Sequence, residues 1–490
     1  MIQRIILSLF AFFVTFSAFA QYMVTGIVRD KVSRNAVADV QIGFENTQTF
    51  SDENGFFELL HDGRQRSLLI AAEGYQTERF ILSRNADAVL FPELNRLPQA
   101  EKKYWKRTLN TGFFNLGKID IGHISEIYGN NRVEGTRLTL PVQTSEKWSK
   151  NIKLGAYTGY GFGDEKWKYG ASAQFLLPTQ RNRFIAVDYQ DDIFKVGSNR
   201  QANLLRGARF TQSANNLVGE LFPIHRDFKL NRRQELNISY EQSWSKNFSS
   251  LAGVRAARQH EGVFVPFGVD YFDNQALMLN ANWHFGERFF DGLSTRFWRN
   301  NLYPIVQLSA EAGNFTIENK SRQYAHLRAS IQQDLQNNFG RLNYAVETGY
   351  IAGRVPFPLL QIPRGNETYT IRDYSFTMMN YMEFAADTYA ALYADYQFNN
   401  LLLGRMLITN MLGMREMLSL KTMVGSLRNE HSEVMNLPYF TEKLSHYTEV
   451  SAGIANIFGL LNVESVWRLT DRQKPDIRTW GIRVKMLIDL

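Results

Sequence analysis

The stretch from Thr479 to Leu490 constrains this chain more than any other. It reads T-W-G-I-R-V-K-M-L-I-D-L. Trp480, Ile482, Val484, Met486, Ile488 and Leu490 are apolar, and they alternate with Thr479, Gly481, Arg483, Lys485 and Asp489; only Leu487 falls out of step. Strict period two is a β-strand with one apolar and one polar face. Strands of soluble sandwiches usually run about five or six residues, whereas a tilted strand crossing a bilayer needs about 9–11. A pattern of this length points to the closing stave of a membrane barrel.

The same alternation recurs through the preceding 350 or so residues. Ile152, Leu154, Ala156 and Thr158 alternate with Lys153, Gly155, Tyr157 and Gly159, and Gly163-Asp164-Glu165 turns this strand into the next. Leu277, Leu279, Ala281 and Trp283 oppose Asn280, Asn282 and His284, and Ala325, Leu327 and Ala329 oppose His326, Arg328 and Ser330. Sixteen staves are predicted: 131–140, 150–162, 166–177, 182–190, 233–244, 248–258, 274–287, 303–314, 322–334, 339–350, 373–385, 388–398, 414–425, 445–457, 461–470 and 479–490. Closure would pair the last of these with the first, around Arg132 to Leu140. Composition agrees with a barrel. Aromatics reach 13% and charged residues only 21%, yet mean hydropathy is −0.30, because polar lumen-facing positions dilute the apolar ones.

The first twenty residues read as a signal peptide: Arg4, an apolar run from Ile5 to Phe16, and Ala18-Phe19-Ala20 as an A-x-A cleavage site. Beyond them no run approaches the roughly 18 apolar residues of a membrane helix. There is no cysteine, so disulfides and thiol chemistry are excluded. Net charge is +7, or +6 without Arg4; this is accounted for by lumen arginines and by loops near anionic lipid, and no nucleic-acid partner is expected.

Residues 21–82 read as a separate small β unit. The motifs V-T-G-I-V-R-D, A-V-A-D-V-Q-I, S-D-E-N-G-F-F-E-L and A-A-E-G-Y resemble the carboxypeptidase-regulatory-like domain, which implies a transthyretin-like β-sandwich. The family's usual proline is absent from Asn35-Ala36-Val37, and His61 has no ligand-spaced partner for zinc. Residues 83–128 read as a linker carrying the basic-aromatic cluster Glu101 to Arg107. The fold class is therefore all-β: a transthyretin-like sandwich, then a large antiparallel transmembrane barrel of about 16 strands over 129–490.

The barrel resembles an uncharacterised outer-membrane family that pairs it with a carboxypeptidase-regulatory-like domain. Asn131-Arg132-Val133-Glu134-Gly135, Tyr160 to Tyr169, Tyr381 to Leu392 and G-I-A-N-I-F-G-L-L-N-V-E-S-V-W-R-L carry the likeness. It is distantly similar to surface-antigen and assembly-factor barrels, whose inward loop holds an Arg-Gly pair; their helix-containing periplasmic repeats have no counterpart here. That resemblance singles out Arg364 and Gly365, in the proline-rich stretch 351–371, with Glu347 or Glu383 as the lumen carboxylate that would pin the loop.

No catalytic, cofactor or metal site is predicted. His431-Ser432-Glu433 lacks the second histidine of H-E-x-x-H, there is no G-x-S-x-G elbow or P-loop, and Asp191-Asp192 and Asp387 lack ligand-spaced partners. Gly159-Tyr160-Gly161-Phe162-Gly163 belongs to a strand entering a hairpin, where small residues admit close neighbours. The expected protein is non-enzymatic and outer-membrane, embedded in lipid. Its sandwich would be periplasmic and available to a periplasmic or envelope partner, and its role would lie in envelope biogenesis or substrate or protein transport. A surface or ligand receptor is the alternative, followed by a barrel-embedded hydrolase.

Overall fold

The computed structural model describes residues 22–44, 48–52, 54–61, 67–72, 75–82, 88–95, 113–123, 126–145, 147–177, 183–198, 228–245, 247–285, 288–291, 296–299, 303–337, 339–371, 373–399, 401–406, 409, 414–458, 461–473 and 477–486. The signal peptide 1–20, the cluster 101–107 and Ile488 to Leu490 lie outside the described residues. The chain divides into two compact units, Met1–Lys103 with Gln336–Arg341, and the remainder.

In the small unit, Tyr22–Ile27 pairs antiparallel with Phe56–His61 and parallel with Ala88–Leu90. A second sheet runs Gln48–Phe50, Gln41–Gly43, Ser67–Ala71, Glu78–Ile81. Alternation fixes which residues go inside: Leu68 and Ile70 are fully buried beside exposed Leu69, and they join Val24, Ile42 and Phe57 in one core. Two sheets sharing one core make a small β-sandwich. At its hairpin, Asp52 accepts hydrogen bonds from the backbone N–H groups of Asn54 and Phe56 at 2.9 and 2.8 Å, and Gly55 takes φ +73°. The unit runs past the predicted boundary at 82. Ala88–Leu90 pairs with the first strand, and Glu93–Leu94 pairs with Arg29–Asp30. Strands of two and three residues are too short to leave a periodic signature.

Most strands of the rest of the chain form one 18-stranded sheet, taken nearly in chain order; two short pairs, Arg288–Asp291 with Arg296–Arg299 and Phe384–Ala385 with Glu442–Lys443, stand apart from it. Its strands are β1 (Phe113–Asn115), β2 (Ile119–Gly122), β3 (Tyr128–Asn131), β4 (Gly135–Thr144), β5 (Ile152–Gly161), β6 (Lys166–Leu176), β7 (Arg183–Lys195), β8 (Leu230–Ser243), β9 (Phe248–His260), β10 (Tyr271–His284), β11 (Ile305–Ile317), β12 (Lys320–Asn337), β13 (Gly340–Ala352), β14 (Thr388–Phe398), β15 (Arg415–Ser426), β16 (His446–Ile457), β17 (Leu461–Arg468) and β18 (Trp480–Met486). Every predicted stave except 373–385 corresponds to one of them, and β1 and β2 lie in the stretch read as linker.

The faces of this sheet are inverted relative to a soluble protein. On β8, Arg233, Glu235, Asn237 and Ser239 are buried, while Leu236 and Ile238 are about 40% exposed, at 40% and 41%. The same holds for buried Arg255 beside exposed Val254, and for buried Arg328 beside exposed Leu327. A sheet that encloses its charges and exposes its leucines is stable where hydrocarbon wets the outside and every strand is bonded to a neighbour. This is the wall of a transmembrane β-barrel. No helix among the described residues is long and apolar enough to cross a membrane.

The first and last strands are partnered otherwise than predicted. The edge of β4 facing away from β5 is taken by β3 along Gly135 to Leu138 and by β2 along Val142 to Thr144. Residues 132–140 therefore have no free edge for β18. On its side away from β17, β18 instead meets the chain's own interior: Val484 N–H donates to Tyr369 C=O at 3.1 Å, and Ile371 N–H donates to Val484 C=O at 2.8 Å. The predicted stave 373–385 is likewise no stave. Tyr374, Phe376, Met379, Tyr381 and Phe384 are all buried, at both odd and even positions, so this stretch has no lipid face. It belongs to a segment, residues 353–387, that folds into the barrel.

Candidate functional site: the segment folded into the lumen

The segment leaves β13 at Gly353, whose φ is +89° and where a Cβ would stand 2.7 Å from Gln323 O. Pro356 and Pro358 then set a single 3-10 turn over Phe357–Leu359. Lacking strand partners, the turn is held by burial. Val355, Phe357, Leu360 and Ile362 pack with Val265, Phe267, Phe272 and Phe315 in one apolar cluster. A second cluster joins Tyr374, Phe376, Met379 and Phe384 to wall residues Ala345, Tyr393, Met423 and Tyr447. The part of the lumen beside β10 to β16 thus holds a small core of its own.

The polar contacts fix where this core sits. Arg364 donates through Nε to Tyr374 C=O at 2.8 Å and through Nη2 to the Glu347 carboxylate on β13. Glu347 also accepts from the Tyr389 hydroxyl at 2.7 Å. Gly365 lets two stretches of the segment touch, because a Cβ there would lie 2.5 Å from Asn380 O. Of the four residues singled out in sequence, the structure therefore joins Arg364 with Glu347 and places Gly365 beside them. Glu383 is held elsewhere, by Arg468 of β17, at 2.6 and 3.1 Å.

Other anchors carried no motif. Glu449 of β16 accepts the backbone N–H groups of Thr377 and Met378 at 2.6 and 2.9 Å. Lys421 of β15 donates to Ser375 C=O at 2.9 Å and to Thr377 Oγ1 at 3.0 Å. Lys229, just before β8, donates to Glu367 and to Tyr381 C=O, each at 2.6 Å. Lys421, Glu449 and Arg468 sit at polar positions of otherwise alternating strands, so the sequence marks them as lumen-facing. What it cannot supply is the partner, which lies tens of residues away.

At the mouth, Asp387 binds both Arg428 and His431, the latter at 3.0 Å, and the other ring nitrogen of His431 accepts from Val355 N–H at 3.1 Å. Burial pushes the Asp387 carboxyl up, but hydrogen bonds from Arg428 and His431 outweigh it and hold it below the ordinary carboxylate range. With both ring nitrogens engaged, His431 has none facing Ser432, whose hydroxyl donates to Asn429 C=O at 2.6 Å. Asp192 is bound by Arg137, at 2.9 Å through Nη2, and by the Tyr157 hydroxyl at 2.8 Å; Asp191 is bound by Arg232 and Gln234. Among the described residues no group of three or more His, Cys, Asp or Glu is placed to hold a metal. The glycines of β5 serve packing: a Cβ on Gly159 would lie 2.9 Å from Arg137 Nε, and one on Gly161 would lie 2.7 Å from Lys168 Nζ.

Residues 268–436 match the model of the C-terminal domain of a family of unknown function (DUF5686). This span runs from β10 through the whole inward segment to the mouth residues Arg428 and His431. No curated protein matches the chain significantly. Among solved structures, BamA from Haemophilus ducreyi lacking POTRA domains 1–3 is similar at 9% identity and a TM-score of 0.43, over 84% of this chain and 75% of that one. CdiB from Acinetobacter baumannii is similar at 10% identity and a TM-score of 0.38, over 82% and 62%. The copper transporter OprC gives 10% and 0.30, over 96% and 62%. At these values no activity is carried over from any of them.

Proposed function

We propose that this chain is a non-enzymatic outer-membrane barrel with a closed lumen. It acts in envelope biogenesis or moves a substrate only when segment 353–387 is displaced. The observation that carries this reading is the segment's anchorage to the wall by Glu347, Lys421, Glu449 and Arg468, on four different strands. A passive pore has no use for an apolar core in its lumen, whereas a gated or assembly role requires an element that can be held and released. The small sandwich is read as a periplasmic domain of the carboxypeptidase-regulatory-like type that docks an envelope partner.

Planar-bilayer recordings on the full chain test the closed lumen. The wild type should be silent, and a variant with residues 356–384 replaced by a short Gly-Ser linker should conduct. An ohmic wild-type current would sink the closed reading. Depletion followed by a census of outer-membrane proteins tests the biogenesis role, which an unchanged census would remove.

A further inference from the structure

We infer that a cavity in the part of the lumen beside β4 to β7 is a binding site for a small saccharide of one or two rings. Its volume is about 440 Å³. Sites for small ligands span roughly 300–1,000 Å³. The lining runs from Phe113 to Phe194 and, among the described residues, takes nothing from the inward segment 353–387. It is therefore a different place from the anchors that hold the segment.

Strand register lays out the wall of this cavity. Pro141, Tyr157, Gly170 and Gln190 are directly opposed across β4, β5, β6 and β7, and all four line it. The next row holds Gly155, Ser172 and Asp188, which line it as well. Alternation makes these the lumen positions, since Leu138, Leu154 and Ile185 on the same strands are exposed on the lipid face. Tyr157 is the one aromatic side chain in the two rows. Its hydroxyl donates to Asp192 at 2.8 Å, and Asp192 is held in turn by Arg137. Its ring reaches across to Gly170, where a Cβ would collide with it. Tyr157 is nonetheless only half-buried. The ring is fixed at its tip and open along its body to whatever occupies the cavity.

The lining chemistry selects that occupant. A sugar ring carries C–H groups on a face and hydroxyls around its edge. The negative face of an aromatic ring attracts hydrogens that bear slight positive charge, so Tyr157 offers a platform for the C–H face. Beside it, Gln190, Ser172 and Asp188 together supply both donors and acceptors for the hydroxyls. A wholly apolar ligand would leave those polar groups cut off from water. A small anion would meet the carboxylates of Glu126, Asp188 and Asp192, while the Arg137 guanidinium is already engaged by Asp192 and Glu134. The assignment rests on the barrel wall alone and not on release of the inward segment, so it stands or falls apart from the gated reading.

The test is saturation-transfer difference NMR on the full-length protein in micelles of lauryldimethylamine oxide, a detergent without sugar, with glucose and maltose as probes. Both should bind saturably, with transfer greatest at the ring C–H protons. Sorbitol, which carries its hydroxyls on an open chain, should bind far more weakly. Tyr157→Leu should weaken glucose binding by roughly tenfold, the loss of one aromatic contact. Tyr157→Phe keeps the ring and should bind nearly as wild type. Ser172→Leu fills the cavity from an exposed position and should abolish binding, which keeps the test decisive should Tyr157→Leu fail to fold. Failure of both sugars to bind, sorbitol binding as tightly as glucose, adenosine outcompeting both sugars, or unchanged affinity in Tyr157→Leu or Ser172→Leu would overturn the assignment.

Discussion

Arg468 holds the Glu383 carboxylate with both terminal guanidinium nitrogens, at 2.6 and 3.1 Å, while its planar head lies 4.8 Å from the centre of the Tyr447 ring. This pair joins the inward segment to β17 across 85 positions of sequence. The Arg468 side chain is fully enclosed. Truncating one partner strands the other charge, so Arg468→Ala should destabilise the folded barrel by about 3–5 kcal/mol. Replacing both residues with apolar ones of similar volume, Arg468→Met with Glu383→Leu, should recover most of that loss. Urea unfolding in lipid vesicles measures both; equal losses in the single and double variants would show that the pair's charge is not what matters.

The lumen face of β6 tolerates no side chain at Gly170. A Cβ there would stand 2.4 Å from the Tyr157 ring and 3.0 Å from Tyr189 O. Tyr157 cannot move aside freely, because its hydroxyl donates to Asp192 at 2.8 Å. Gly170→Ala should therefore cost about 1–3 kcal/mol by overpacking. Adding Tyr157→Phe, which frees the ring from Asp192, should make the alanine less costly. Urea midpoints of the two single variants and the double variant decide it through their coupling; strictly additive effects would refute the clash.

These two sites show what the sequence could and could not reveal. Period two located the staves because lipid imposes one rule on a whole face, as in Leu236 and Ile238 opposing Glu235 and Asn237. It failed at 373–385, where Phe376 and Tyr381 are both buried and the alternation that defines a stave is lost. That residues 351–371 make no stave was legible through Pro356, Pro358 and Pro363, which bar a central strand, whereas an inward course was suggested only by the resemblance to assembly-factor barrels. Pairing was not. Glu347 and Glu383 are equivalent as letters, and only the fold gives the first to Arg364 and the second to Arg468. Closure of the barrel was misread for a related reason. The strands that cover β4, β2 and β3, have four residues each, too few for any pattern to emerge.

The edge of β18 is held by two backbone hydrogen bonds to the segment, and one of them can be deleted alone. Proline at 371 has no N–H to donate to Val484 C=O. Ile371→Pro should loosen this end of the segment by about 0.5–1.5 kcal/mol, the net contribution of one such hydrogen bond between half-buried groups. Ile371→Ala keeps the donor and serves as the control. Hydrogen exchange at the Val484 amide, which donates to Tyr369 C=O on the same bridge, should accelerate in the proline variant and much less in the alanine one. Equal acceleration would assign the effect to the lost side chain.

The Asp387 latch at the mouth should make stability depend on acid in a defined direction. Its carboxyl titrates lower in the folded protein than the value of about 3.9 expected of an unfolded chain. As pH falls, the unfolded state therefore takes up its proton first. The latch's contribution is present in full above the unfolded value and is lost as pH falls from there through the folded one. Asp387→Asn cannot ionise; it should lower stability at pH 7, where Arg428 and His431 lose a charged partner, and should be less sensitive to acid than the wild type. Urea midpoints measured from pH 7 to pH 3 should converge at the acid end. Parallel profiles, offset by a constant amount, would mean that Asp387 acts by shape and not by charge.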